Sequence, residues 1–396
     1  MLSYNKYDWV NALRGYAILL VILIHASQTF KVSDLSRKFC DNGELGVQLF
    51  FILSSFTLFN SYSQRLLKEK NSVNRNFFIR RFFRIAPYYY IAGLIYVFYK
   101  GVIKHNEISI KNLVANYTFT NGIYLPGIND IPPGGWSIGI EMLFYLLIPL
   151  LFKYINSLNR AFYLFIFAVI FSIIINHYFL NYTLSFLNSI FGDVKNWMLY
   201  FWFPNQFPIF ILGIILYYIN KNIVIPFKFG QIILVISIIL YLVFSFIKFR
   251  LDYPFYFFKR EYIFGVIFVL FAIGTYTTKN KLIINNFVQK IGIVSFSMYL
   301  NHSLILSLIG YTFKYVLKKA ALFLSVSDSI FENDIVFLFV YFLIIMLTYF
   351  ASKITYKYIE LKGINLGDRL LNSWSKNVPI NFVEISNIPK AENFQK

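Results

Sequence analysis

Arg14 and His25 bracket an otherwise apolar stretch, RGYAILLVILIH, and these two residues say most about what the chain can do. Eleven helical steps of 100° come to about 1100°, some 20° past three full turns. Both side chains therefore leave one helix face, about 16 Å apart along the axis. An arginine at mid-bilayer costs about 2.5 to 3.5 kcal/mol on insertion scales, so an ionisable residue inside an apolar span implies a protein interior and a partner. Glu141 and His302 also fall inside apolar windows, and Arg80, Arg81 and Arg84 stand at the head of another. Guanidinium groups bind phosphate in fork geometry and imidazole can take a proton near neutral pH. Together these residue types suit a phosphate-bearing donor whose reactive end reaches a base.

The elements that must position them are membrane helices. The 396 residues are 58% hydrophobic, 21% aromatic and only 14% charged, with a mean hydropathy of +0.59. Apolar windows of about twenty residues recur near 9–31, 44–62, 85–101, 138–156, 160–182, 205–220, 229–247, 261–277, 291–316 and 335–356. The expected fold is all-α and polytopic, with about ten transmembrane helices. The first window lacks the small-residue cleavage site of a signal peptide. One membrane domain is expected over 1–366, followed by a polar cytoplasmic tail over 367–396.

Charge orients the spans. Between Arg65 and Arg84 the chain carries Arg65, Lys68, Lys70, Arg75, Arg80, Arg81 and Arg84 against the single acid Glu69. That marks the segment as cytoplasmic and puts both termini on the same side. Lys248, Arg250, Lys259 and Arg260 run against this pattern. The formal charge of +19 reads as orientation and anionic-lipid contact rather than nucleic-acid binding, because the basic residues are scattered between apolar spans. One cysteine, Cys40, excludes an internal disulfide framework, and no metal is expected. Pro126, Pro132, Pro133, Gly134 and Gly135 mark the loop 102–137 as a turn-rich cap over an external opening.

This topology assigns depths. Arg14, Arg80, Arg81 and Arg84 fall at the inner face, His25 in the outer half, Glu141 about a turn below the outer surface, and His302 near the middle. A cationic inner mouth and a His/Glu centre nearer the outside result. Plainer roles exist for each: lipid-phosphate anchors for the arginines, interhelical hydrogen bonds for His25 and His302, and an interfacial belt for Trp136 and the tyrosines. His105 and His177 carry no signal. Two other functions fit a polar core: a carrier or flippase for a lipid-linked glycan, and a polyprenyl-linked glycosyltransferase using Asp34, Asp41 and Glu44. The first predicts two halves with matching broken helices, which the chain does not display, and the second predicts metal dependence.

The motif series resembles the acyltransferase-3 family of integral membrane acyltransferases along nearly the whole chain. NALRGYAILLVILIHA at 11–26 is similar to that family's opening Arg/His motif, and GVQLFFILSSFTLF at 46–59 to its second-span signature. RRFFRIAPYYY at 80–90 resembles the basic head of the third span, with Arg81 and Arg84 in its Arg-x-x-Arg positions. GGWSIGIEMLFYLLIPLL at 134–151 resembles the Trp-Ser…Glu…Phe-Tyr…Pro block, and SFSMYLNHSLI at 295–305 the late Tyr-Leu-x-His block. Asn11 and Gln48 stand where many members have aspartate, Ser55 where glycine is usual, and Leu361 and Lys362 follow Ile359 and Glu360 without the frequent proline.

The resemblance implies acyl transfer, most often of acetyl, from cytoplasmic acyl-CoA to a hydroxyl of a cell-surface or lipid-linked glycan. It also implies a bacterial-type cytoplasmic membrane, with no fused extracytoplasmic esterase-like domain. Arg81 and Arg84, with Arg80 beside them and Arg14 helping, would hold the nucleotide phosphates. His25 would act as base or transient acyl carrier, and Glu141 would orient its imidazole. Ser137, Tyr145, Tyr299 and His302 are of the right type to support the reacting centre.

Overall fold

The computed structural model describes residues 7–69, 72–191, 196–246, 260–324 and 333–376, and among these the secondary structure is helical with no strand. Helix α1 (Asp8–Thr29) runs without a break, as its uninterrupted apolar pattern requires. Polar side chains cap several helices. The Ser33 hydroxyl accepts from Ser36 N at the start of α2 (Asp34–Cys40), and the Ser109 hydroxyl opens α5 (Ile110–Tyr117) in the same way. Asn285 caps α11 (Asn286–Ile293), and Asn333 accepts from Ile335 N and Val336 N to open α13 (Asp334–Thr355).

Eight helices among the described residues are long and apolar enough to cross a membrane, and the bent pair α11 and α12 (Ser295–Leu324) makes a ninth. The tenth expected span corresponds to α4 (Val73–Phe98), whose arginines make it too polar to qualify by composition. The protein is thus an all-α, multi-pass membrane protein. Window 291–316 reads as one straight span, yet the chain turns by 80° between α11 and α12. Periodicity could not reveal this, because both arms are apolar and the bend comes from docking α11 across α1, with Gly15 pressed against Val288.

The core surrounds α1. It packs against α3 (Gly46–Glu69), α11, α12 and α13, and Leu13, Ile18 and Ile22 are fully buried there. Close approach of α1 and α3 depends on Gly46, where a Cβ would strike the Ala17 carbonyl oxygen. The periphery is the opposite. In α7 (Leu158–Phe191) and α9 (Phe227–Phe246), Phe167, Ile170, Val235 and Ile239 face outward as a continuous apolar surface suited to lipid.

The loop over 102–137 is a packed cap. Asn116 donates to Gly127 O at 3.0 Å, Asn121 donates to Asn116 Oδ1 at 3.1 Å, and Lys100 pairs with Asp130. At the other end α14 (Leu361–Lys376) continues the chain past residue 367, where the polar tail was expected to begin. Its Gly363 and Gly367 lie against Pro87 and Phe83 of α4, and Arg75 lies 5.0 Å from the Trp374 ring centre. Residues 377–396, and the basic positions Lys248, Arg250 and Lys259, fall outside the described residues.

Candidate active site

Six helices contribute to the lining of the first of two neighbouring cavities. Arg81 and Arg84, three residues apart on α4, project from one face beside Arg14 of α1. Glu141 and Tyr145, four apart on α6 (Gly135–Tyr154), project into the same space. The cavity holds about 90 Å³ of free volume, and Tyr299 and Ser137 close one side of it. Three guanidinium groups against one carboxylate leave the lining net positive.

The arginines are sparsely engaged. Arg14 donates to Thr57 Oγ1 at 3.3 Å and Arg81 to Ser61 Oγ at 3.1 Å, with Arg81 also 5.9 Å from the Tyr145 ring centre. Among the described residues no hydrogen-bond acceptor meets the Arg84 guanidinium. Each guanidinium carries five N–H donors in a planar fork, so most of this donor capacity has no hydrogen-bond partner among the described residues. Such a lining is complementary to an anion.

Arg80 stands apart. It points away from the cavity and bonds both carboxylate oxygens of Glu69, at 2.7 and 2.8 Å. Partial burial pushes the Glu69 carboxyl up, but hydrogen bonds from Arg80, Asn76 and Arg65 outweigh it and hold the group below the usual range. The geometry thus separates Arg80 from Arg81 and Arg84, with which the sequence grouped it. The reason is helical phase: residue 80 is 100° from residue 81, on the side facing the end of α3.

Glu141 differs from expectation too. Ser54 donates to its Oε1, and Tyr145 donates to the same oxygen at 2.5 Å. It does not bond His25. Depth and the family resemblance placed the two together, but α6 turns its carboxylate towards the arginines, and that is decided by how α6 packs on α3.

His25 lines a second cavity of about 310 Å³, with Gln28, Glu44, Trp136, Tyr200 and Phe201 among its walls. Val47 lines both cavities and is a shared partition. His25 Nδ1 lies 3.2 Å from Gln28 Oε1, one helical turn on. An amide oxygen only accepts, so with the carboxamide in this orientation Nδ1 carries the proton and the Nε2 lone pair is available.

The His302 ring stacks on His25 with centroids 5.2 Å apart. Its Nδ1 lies 2.6 Å from Tyr299 O, and Tyr299 in turn reaches the first cavity. Ser137 Oγ and Tyr299 Oη lie 2.9 Å apart and each lies 3.0 Å from Gly134 O. Gly134 has φ +81°, and a Cβ there would press on the Tyr299 hydroxyl, so glycine is needed at this turn. The supporting residues expected from sequence divide accordingly: Tyr145, Ser137 and Tyr299 join the arginine cavity, and His302 joins His25.

Sequence reasoning missed Ser54, Gln28 and Tyr200, which are common polar types without distinctive spacing. It placed Trp136 in the interfacial belt, whereas Trp136 is 5% exposed, with Phe201 4.7 Å and Tyr200 6.0 Å away between ring centroids. The short helical segment Asn196–Phe201 brings those two rings beneath the loop, a contact across more than sixty residues.

The chain is similar to several known proteins. Over 154 residues the chain is 30% identical to a peptidoglycan O-acetyltransferase of Listeria monocytogenes, covering 35% of this chain and 23% of that protein. It is 32% identical over 141 residues to a protein of Acidianus two-tailed virus assigned as an acetyltransferase, covering 36% of this chain and 39% of the viral protein. With a Staphylococcus aureus protein assigned as an O-acetyltransferase it shares 24% identity over 406 aligned positions, covering 93% of this chain and 59% of that one. The chain thus spans less than two-thirds of the length of these curated relatives. No solved structure matches it. A family described as an acyltransferase domain matches residues 7–361, from the start of α1 to the beginning of α14, and on that match the chain belongs to the acyltransferase-3 family.

Proposed function

We propose that the protein transfers an acyl group, acetyl in the first instance, from cytoplasmic acyl-CoA to a hydroxyl of a cell-surface or lipid-linked glycan. The observation that carries this reading is the convergence of Arg14, Arg81 and Arg84 on one cavity that shares the Val47 partition with the cavity of His25. Family membership and the names of the relatives supply the reaction class, and the peptidoglycan relative supports a glycan acceptor. The basic stretch 65–84 supports a multi-pass protein of a bacterial-type cytoplasmic membrane, with both termini in the cytoplasm.

In this mechanism the arginine forks hold the donor phosphates and the thioester end extends towards His25. His25 Nε2 takes the proton of the acceptor hydroxyl as its oxygen attacks the thioester carbonyl. The tetrahedral intermediate collapses with cleavage of the C–S bond, and the thiolate leaves with the proton from the imidazolium. The products are the ester and free CoA. Gln28 fixes the tautomer.

The test uses proteoliposomes with radiolabelled acetyl-CoA trapped on the Arg81 side and saccharide outside. Base-labile label on the saccharide, lost in His25→Ala, is expected. No ester, or equal ester from His25→Ala, overturns the reading.

A further inference from the structure

The His25 cavity has walls that the chemistry of the imidazole does not explain. Trp136, Tyr200 and Phe201 form one apolar side, mutually packed with centroids 4.7 to 6.0 Å apart. The same lining also carries three hydrogen-bonding groups. Glu44 accepts from Arg260 on Oε1 at 2.6 Å, and among the described residues its Oε2 has no partner. The Tyr200 hydroxyl accepts from Gln48 Nε2 at 2.9 Å and, among the described residues, donates to nothing. The Gln28 amide nitrogen is likewise unengaged there, while its oxygen serves His25.

Those unused groups have a definite chemistry. A carboxylate oxygen accepts, a phenol proton donates and an amide nitrogen donates. An aromatic face, negative at its centre, attracts the polarised C–H bonds on an apolar face of a ligand. A ring with hydroxyls at its edge and C–H bonds on its faces meets all these demands. An acyl chain would leave the three polar groups unmet, and an anion would meet the Glu44 carboxylate. The volume, about 310 Å³, is at the low end of the roughly 300 to 1,000 Å³ typical of small-molecule sites.

We propose that this cavity is the acceptor subsite and takes one neutral pyranose ring, stacked against Trp136 with hydroxyls on Glu44 and Tyr200 and the reacting hydroxyl towards His25 Nε2. Arg260 is a positioning residue. With Asn42 Oδ1 as its second acceptor, it holds the Glu44 carboxylate at the rim. The inference rests on the acyl-transfer reading and adds to it the place and class of the acceptor.

The experiment is steady-state acetyl transfer by the full chain in proteoliposomes. Acetyl-CoA is the donor, and the acceptors are a panel of neutral glucose and N-acetylglucosamine oligosaccharides. Glu44→Gln and Tyr200→Phe keep side-chain shape, and each should raise the acceptor KM about three- to tenfold while leaving the acetyl-CoA KM within twofold. Trp136→Phe keeps a ring and should give an intermediate rise. His25-dependent hydrolysis of acetyl-CoA without saccharide reports that each variant is folded, and it should be retained. Acceptor KM values within twofold of wild type in all three variants, or equal rises in donor KM, overturn the subsite. Transfer by wild type to no saccharide of the panel overturns the acyl-transfer reading and the subsite with it.

Discussion

The two cavities beside α1 share a wall at Val47 but differ in chemistry. The one built on α4 and α6 is tight, lined by three arginines and supplied with hydroxyls that engage Glu141. The one around His25 is more than three times as roomy by free volume, aromatic on one side and edged by neutral or acidic acceptors and donors. Charge concentrates where a phosphate would be held, and the proton acceptor lies away from it. A base next to three guanidinium groups would resist protonation, so separating them by about three helical turns keeps an imidazole useful. On the proposed reading, binding and chemistry are set apart along a single helix.

The largest expected break in this contrast is His25→Ala. Removing a general base costs typically 10²- to 10⁴-fold, so transfer should fall at least about 100-fold with little change in acetyl-CoA KM. Isotope-labelled product per milligram of purified variant measures it. Near wild-type transfer would move the chemistry elsewhere.

Next come the arginines. Arg84→Ala and Arg81→Ala should each raise the donor KM about tenfold with a smaller change in kcat, because a phosphate contact persists from ground to transition state. Rising salt should weaken donor binding in wild type more than in the variants, through screening. Titration of acetyl-CoA at two ionic strengths decides the point. Equal salt responses would reduce these residues to lipid anchors.

Glu141→Gln sharpens which cavity owns the carboxylate. It removes the charge from the oxygen that accepts from the Ser54 and Tyr145 hydroxyls and so weakens both bonds, so kcat should fall severalfold while the acid limb of the pH–rate profile stays in place. Had Glu141 stabilised the imidazolium, its loss would lower the His25 pKa and shift that limb to lower pH. A shift of half a unit or more would restore the pairing that the geometry lacks.

The smallest effect belongs to Arg80→Ala. The donor KM should stay within twofold, and loss of a partly exposed pair should lower stability by about 1 kcal/mol or less. Because Glu69 is held below its ordinary carboxyl range, its contribution is present above the unfolded value of about 4.3 and is lost as pH falls through the folded value. Thermal unfolding in detergent at pH 7 and at pH 4 should therefore separate wild type from Arg80→Ala by more at the higher pH. A tenfold rise in donor KM would place Arg80 in the phosphate site after all.

Legibility in the sequence follows the range of the forces involved. Spans, the helix over 8–29 and the shared face of Arg14 and His25 are set by local periodicity and by the bilayer's demand that backbone polar groups pair within a helix. The bend between α11 and α12 was not legible, because both arms are apolar and the turn arises from docking on α1. Trp136 was misplaced for a related reason. A tryptophan near a span end satisfies the belt rule whether it meets headgroups or the rings of Tyr200 and Phe201.

The amino-acid sequence by itself determined that the chain is a helical membrane protein, that its motifs belong to one acyltransferase family, and that Arg14, His25, Arg81, Arg84 and Glu141 face protein rather than lipid. These follow from residue type and spacing within single helices, where geometry is known in advance. Only the tertiary structure decided who meets whom: Glu141 with Ser54 and Tyr145, His25 with His302 and Gln28, and Arg80 with Glu69. Most of these pairs join different helices. Their contacts depend on the rotation of each helix about its axis, which interhelical packing fixes and hydropathy does not encode.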